Sequence, residues 1–272
     1  MLFAKYSLLL RSSYKAKITD FNVITNNKLL FACDMKHLHI ITPVKDSIES
    51  TLETVKAVLA SDIKVPYTYT IYNDFSTDEN TALLEKYSKE LGFELVNLRD
   101  LTDHPSPNYL LVLRRCQKLA IEAGADMLLV ESDVVVDKGT LQGLVDGAAE
   151  REDCAIAASV TVNDEGVINY PYCYAKGHEG EVWCVKKHCS FCCSLLTNKF
   201  LKAYDFEQLN PDKHWFDVTI SQMALKIGFK NYLFCNLPAI HRPHASRPWK
   251  QLKYTNPLKY YWIKFTKGFD KI

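Results

Sequence analysis

The 272 residues are 47% hydrophobic and 24% charged at a net charge of +1, enough apolar material for one large α/β core or two small ones. That balance excludes a disordered polymer and a chain whose overall charge is built for nucleic acid. No apolar run approaches the ~18 to 20 residues of a membrane span, and the nine cysteines, an odd number, read as reduced thiols in a cytoplasmic setting.

From Met1 to Thr19 there is no acid, and Lys5, Arg11, Lys15 and Lys17 are basic, without the long apolar core of a secretory signal. Met35 and Lys36 stand directly before the first convincing strand, so residues 1–34 are read as an N-terminal extension. Leu38 to Thr42 is strand-like and halts at Pro43. Ile48, Leu52, Val55 and Leu59 then mark an amphipathic helix over Ser47 to Ala60. Tyr67 to Tyr72 is the second strand, and Ser76-x-x-Glu79 reads as a capping box for a helix buried through Leu83, Leu84, Tyr87 and Leu91. Phe93 to Leu98 is the third strand. A helix carrying Val112, Cys116, Leu119, Ala120 and Ala123 stops at Gly124, and Met127 to Glu131 is the fourth strand. Such alternation predicts βαβ units and a parallel sheet. Beyond it come a buried strand from Cys154 to Val160, short β-like pieces at Val167 to Tyr170 and Trp183 to Val185, and a strand-like run from Ser190 to Leu196. A helix over Val218 to Ile227 has Gly228 just past its end.

Three acidic features fall at strand carboxyl ends, where open α/β sheets bind ligands: Asp46, Asp74 and the pair Glu131/Asp133. Two carboxylates beside a buried strand need a cation or hydrogen-bond donors. A hard divalent ion, holding one or two carboxylates and substrate phosphate oxygens, meets that need, as does a plain strand cap. Asp78 and Ser76 suit a helix cap. Cys189-x-x-Cys192, near Cys184 and His188, has zinc-ligand spacing, but its apolar surroundings read as buried packing. From His241 to Ile272 eight Lys/Arg face a single acid, giving +7 there and −6 elsewhere. With Trp249, Tyr254, Tyr260, Tyr261, Trp262, Phe265 and Phe269 interleaved, this tail suits a closing helix, an anionic membrane surface or a donor diphosphate.

The run Leu38-His39-Ile40-Ile41-Thr42-Pro43-Val44-Lys45-Asp46, then Tyr72-Asn73-Asp74-Phe75-Ser76-Thr77-Asp78, then Val130-Glu131-Ser132-Asp133 resembles the family 2 glycosyltransferases of GT-A fold. The resemblance continues through Phe191 to Leu196, His214-Trp215-Phe216-Asp217 and Leu237 to His241, covering residues 36 to 245. It implies a Rossmann-like, mostly parallel sheet flanked by helices and a smaller mixed-sheet acceptor half. The domain would run over 35–250, with a nucleotide-binding half at 35–136, an acceptor half at 137–250 and the tail at 251–272. The implied activity is inverting, hexosyltransferase-type transfer of a sugar from a nucleotide diphosphate sugar to a glycan or lipid-linked hydroxyl. Mn²⁺ or Mg²⁺ would assist, in a cytoplasmic protein or one peripheral to the inner membrane face.

By position, the resemblance implies that Pro43 and Asp74 line the nucleoside pocket with Asp46 nearby, and that Glu131 contacts ribose or metal. Arg115 approaches the diphosphate, Asp133 and His241 hold the metal, and Asp217 is the general base. Asn73, Glu131 and Phe216 depart from the family's usual acids. Asp217 also suits an N-cap of the helix it precedes. Two rivals stand beside this reading. One is a catalytically silent nucleotide-sugar-binding protein. The other is a sugar-phosphate nucleotidyltransferase, which needs a Gly-rich loop that Pro43 to Ser50 lacks.

Overall fold

The structure is a computed structural model and describes residues 37–212, 215–242, 252 and 256–267. The expected extension over 1–34, His214 and much of the tail lie outside the described residues.

Nine strands form one mixed sheet: β1 Leu38–Val44, β2 Tyr67–Asn73, β3 Glu94–Asn97, β4 Asp126–Val130, β5 Val134–Val136, β6 Cys154–Val162, β7 Val182–Val185, β8 Cys193–Leu196 and β9 Lys230–His241. Their order is β3-β2-β1-β4-β8-β6-β9-β5, with β7 also on β9. The first four are parallel, as the alternation of strands and helices predicts. β8 then runs antiparallel between β4 and β6 and turns the sheet into its mixed half. The helices are α1 Ile48–Leu59, α2 Asp78–Leu91, α3 Tyr109–Ala123, α4 Thr140–Ala149, α5 Asn198–Ala203, α6 Phe216–Lys226 and α7 Pro257–Lys267.

Successive residues of a strand point to opposite faces, so β1 feeds two cores. Ile41 joins Leu129, Val112, Leu113, Cys116, Phe200 and Ile220 beneath α3, α5 and α6. Ile40 joins Leu128, Val55, Val58, Leu84, Leu144 and Phe234 beneath α1, α2 and α4.

Several elements differ from the sequence reading. The cap of α2 is Thr77, whose hydroxyl accepts from Asn80 N at 3.3 Å, because Ser76 Oγ is occupied by Asp46 N at 2.8 Å. The piece expected over Val167 to Tyr170 is reduced to a single bridge, Val162 to Ile168. Four elements, β5, α4, α5 and β9, had no counterpart in the reading, and two of them show the reason. The helix α4 contains Gly143 and Gly147, residues that weaken helices by about 1 kcal/mol each. Here they let β9 approach: a Cβ at Gly143 would sit 2.7 Å from Leu237 Cδ1, and one at Gly147 would collide with Phe234. The strand β9 contains Pro238, which cannot donate to a ladder. Its register against β6 jumps from Ser159–Phe234 to Thr161–Ala239, so the proline falls inside the irregularity.

Candidate active site

Sheet topology brings four side chains of distant sequence together. The loop Glu131–Asp133 leaves β4 and enters β5. On one side β4 pairs with β8 at Val130–Cys193, and Glu131 N donates to Cys192 O at 2.8 Å. On the other side β5 pairs with β9 at Val134–His241, and Arg242 N donates to Asp133 O at 3.0 Å. Cys192 and His241 thereby flank the acidic loop. One ligand atom each from Glu131, Cys192 and His241 lie within 4.8 Å of one another, and Asp133 Oδ2 is 3.6 Å from His241 Nε2.

The imidazole is oriented from behind. A carbonyl can only accept, so His241 Nδ1 donates to Tyr170 O at 2.9 Å, and Nε2 faces Asp133 and the Cys192 thiol at 4.0 Å. The Tyr170 carbonyl is held in turn by Thr161 Oγ1 at 3.1 Å, and Asn169 Nδ2 donates to His241 O at 2.9 Å. Burial works against the imidazolium, but the Asp133 and Glu131 charges and the Tyr170 bond raise His241 above its ordinary value. Glu131 is raised by burial and then by the Asp133 charge, with His241 opposing. Burial and the Glu131 charge push the Cys192 thiol well up. Carboxylates, an imidazole nitrogen and a thiol sharing one small space are a donor set that could hold a divalent cation.

Asp217 lies in the first turn of α6, and Trp215, without a side-chain capping bond, occupies the cap position. The capping alternative for Asp217 therefore fails. Its charge reaches the same centre, contributing to the raised values of both Glu131 and Tyr109. Tyr109 opens α3, packs its ring 6.4 Å from Phe216, and has a buried hydroxyl without a hydrogen-bond partner among the described residues. Phe216, the apolar departure beside Asp217, thus supports the wall that carries this phenol.

The expected nucleoside side is organised differently. Asp46 and Ser47 at the end of β1 and Phe75 after β2 all have positive φ, at 53°, 51° and 57°. Non-glycine residues rarely adopt that region, and local bonds hold it here. Asp46 Oδ1 accepts from Thr77 N at 2.8 Å and Asn80 Nδ2 at 2.9 Å, which hold its carboxyl below the usual range. Asp74 accepts from Ser106 Oγ at 2.8 Å, Asn108 N at 2.9 Å and Asn108 Nδ2 at 2.8 Å, tying β2 to the start of α3. Three of its roughly four acceptor positions are thus filled. Asn73 donates to Asn97 Oδ1 at 2.8 Å and Thr81 Oγ1 at 3.0 Å, which an aspartate could not do. Pro43 stands one residue before the end of β1, paired with Tyr72. Arg115 is exposed on α3 beside the Tyr72 hydroxyl and takes no part in the hydrogen bonds that order Asp46 and Asp74.

Two charges or thiols behave unlike their sequence reading. Arg242, one of the tail's cations, is engaged by Glu53 and by Asp164 at 2.7 Å. Cys192 belongs to the acidic cluster, whereas Cys189 and Cys193 are buried in the core. Only the β4–β8 register reveals that placement. A cavity of about 350 Å³ adjoins α6 on its Thr219/Met223 face, lined also by Tyr204, Gln208 and Trp215. At about 100° per residue, that face is turned well away from Asp217.

Residues 39–205 match the family model described as Glycosyl transferase family 2. Sequence comparison with curated proteins gives no match. Among solved structures, the mannosyltransferase PcManGT from Pyrobaculum calidifontis, in complex with GDP-Man and Mn²⁺, aligns with 84% of this chain and 64% of its own, at 10% identity and a TM-score of 0.57. TarS from S. aureus aligns with 81% of this chain and 39% of its own, at 14% identity and a TM-score of 0.54. The chain spans less than two thirds of either protein, and at these identities the likeness is one of fold. No helix among the described residues is long and apolar enough to cross a membrane.

Proposed function

The chain belongs to family 2 of the glycosyl transferases, and on that premise we propose that it moves a hexose from a nucleotide diphosphate sugar to an acceptor hydroxyl with inversion. The observation that supports this most is the convergence of Glu131, Asp133 and His241 on one point within electrostatic reach of Asp217. In this reading Asp133 and His241 hold a divalent cation, Mn²⁺ or Mg²⁺, with Glu131 beside them. Such an ion offsets charge on the oxygens of the departing diphosphate. Pro43, Asp46 and Asp74 border the nucleoside, and Arg115 stands toward the diphosphate. Asp74 keeps about one acceptor position for a base or ribose donor. The nucleotide half runs over 35–136 and the acceptor half over 137–250, with a glycan or lipid-linked acceptor.

Asp217 takes the proton of the acceptor hydroxyl as its oxygen bonds to the anomeric carbon. The bond from that carbon to the diphosphate oxygen breaks in the same displacement. One base and one displacement invert the centre. Tyr109, whose buried phenol has no internal acceptor among the described residues, is placed to donate to an oxygen of the bound donor.

The test is a panel of nucleotide sugars incubated with the full chain, with and without divalent metal, and assayed for released nucleoside diphosphate. Metal-dependent release from one donor, accelerated by an acceptor, is expected. Donor binding without any release would indicate the silent binding protein. Pyrophosphate release from a nucleoside triphosphate and a sugar phosphate would indicate the nucleotidyltransferase instead.

A further inference from the structure

The four most exposed large apolar side chains among the described residues all belong to α7: Phe265 at 89%, Leu258 at 86%, Trp262 at 70% and Tyr261 at 58%. Their spacing is i, i+3, i+4 and i+7. At about 100° per residue they form a single stripe about 100° wide. The opposite side carries Tyr260, which is 6% exposed, and the half-buried Ile263. The helix therefore rests on the protein through one face and turns an aromatic face outward, the reverse of an ordinary closing helix.

Charge identifies what that face meets. Pro257–Lys267 contains Lys259, Lys264 and Lys267 and no acid. Lys259 and Lys264 project about 60° beyond the two edges of the stripe, one on each side. A second copy docking through the same face would bring these lysine rows together without an acid on either helix to pair them. An interfacial helix that sinks Trp, Phe and Leu below the headgroups and leaves lysines among anionic phosphates has this pattern. Eleven residues reach only about 16 Å as a helix, too short to cross a bilayer. We infer that α7 is a membrane-docking helix that lays Leu258, Tyr261, Trp262 and Phe265 into an anionic lipid surface. This inference is independent of the sugar-transfer reading.

The experiment is sedimentation of the full chain with vesicles of phosphatidylcholine alone or mixed with phosphatidylglycerol, at low and high salt, with light scattering of the protein alone. The wild type should bind the mixed vesicles and leave them as salt rises. Trp262→Glu/Phe265→Glu should lower binding by about tenfold or more. Lys259→Gln and Lys264→Gln should each lower it by about fivefold. Trp262, Phe265 and Lys259 are exposed and Lys264 is half-buried, and unchanged melting of the variants will show that they fold. Equal sedimentation of wild type and the Trp262/Phe265 variant would overturn the inference. So would a concentration-dependent dimer that the same variant dissolves while vesicles bind neither protein, since a second copy would then be the occupant.

Discussion

At the ends of β1 and β2, each carboxylate meets hydrogen-bond donors. In the loop between β4 and β5, the carboxylates meet each other's charge besides one imidazole and one thiol. Asp46 faces Thr77 N and the Asn80 amide, and Asp74 faces Ser106 and Asn108. Glu131 faces Asp133, the Asp217 charge and one imidazole. The titrations diverge accordingly: donors lower Asp46, whereas burial and like charge raise Glu131. The first two acids are met chiefly by hydrogen-bond donors, and the second two are crowded by like charge as well as partnered by His241 and Cys192.

The largest effect should come from the crowded side. Asp217→Asn should lower turnover by about 10²- to 10⁴-fold, the usual span for a lost general base, with donor affinity retained. Steady-state rates at matched folded fraction check it, and near-wild-type transfer would assign the proton to another group. On the braced side, Asp74→Ala should cost about 2 kcal/mol of stability in urea unfolding, because it strands the Asn108 donors. An unchanged midpoint would mean that the loop from Ser106 to Asn108 holds itself.

Smaller and opposite pH responses sharpen the contrast in metal-free protein. Asp46→Asn should cost about 1 kcal/mol near neutral pH after solvent screening. A depressed carboxyl contributes fully above its ordinary value of 3.8, and the contribution is lost as pH falls through the lower folded value. The gap between variant and wild type should therefore close in acid. Glu131→Gln should do the reverse. A raised carboxyl destabilises the fold as pH rises above its ordinary value of 4.5, so the variant should gain about 1 kcal/mol at neutral pH and nothing below that value. Melting curves across pH decide both, and responses of the same sign would erase the distinction between the two regions.

The parallel half was legible because its signals are local. Periodicity in Ile48 to Leu59, the stop at Gly124 and the acids after three of its four strands are all read within a dozen residues. The cap shifted from Ser76 to Thr77 because Ser76 is claimed by Asp46 from 30 residues away. The helix α4 was obscured by two glycines whose reason is the closeness of β9, and β9 by a proline that sits in a register jump. Of the candidate site, Glu131 and Asp133 were legible from their place after a buried strand, and Asp217 and His241 from the resemblance. Cys192 was weighed only with Cys189 as a zinc spacing and read as packing, and Tyr109 was not singled out, since only the pairing of β4 with β8 and the packing on Phe216 bring them in.

The central claim, that the crowded cluster is built to hold a cation on a nucleoside diphosphate, meets its most direct test in calorimetric titration. GDP and UDP would be titrated into wild type and Asp133→Asn, each with Mn²⁺ and with chelator. At least one nucleotide should bind the wild type about tenfold tighter or more with Mn²⁺, and Asp133→Asn should lose that increment while remaining folded. Equal affinity in chelator, or an undiminished Mn²⁺ effect in Asp133→Asn, would contradict it.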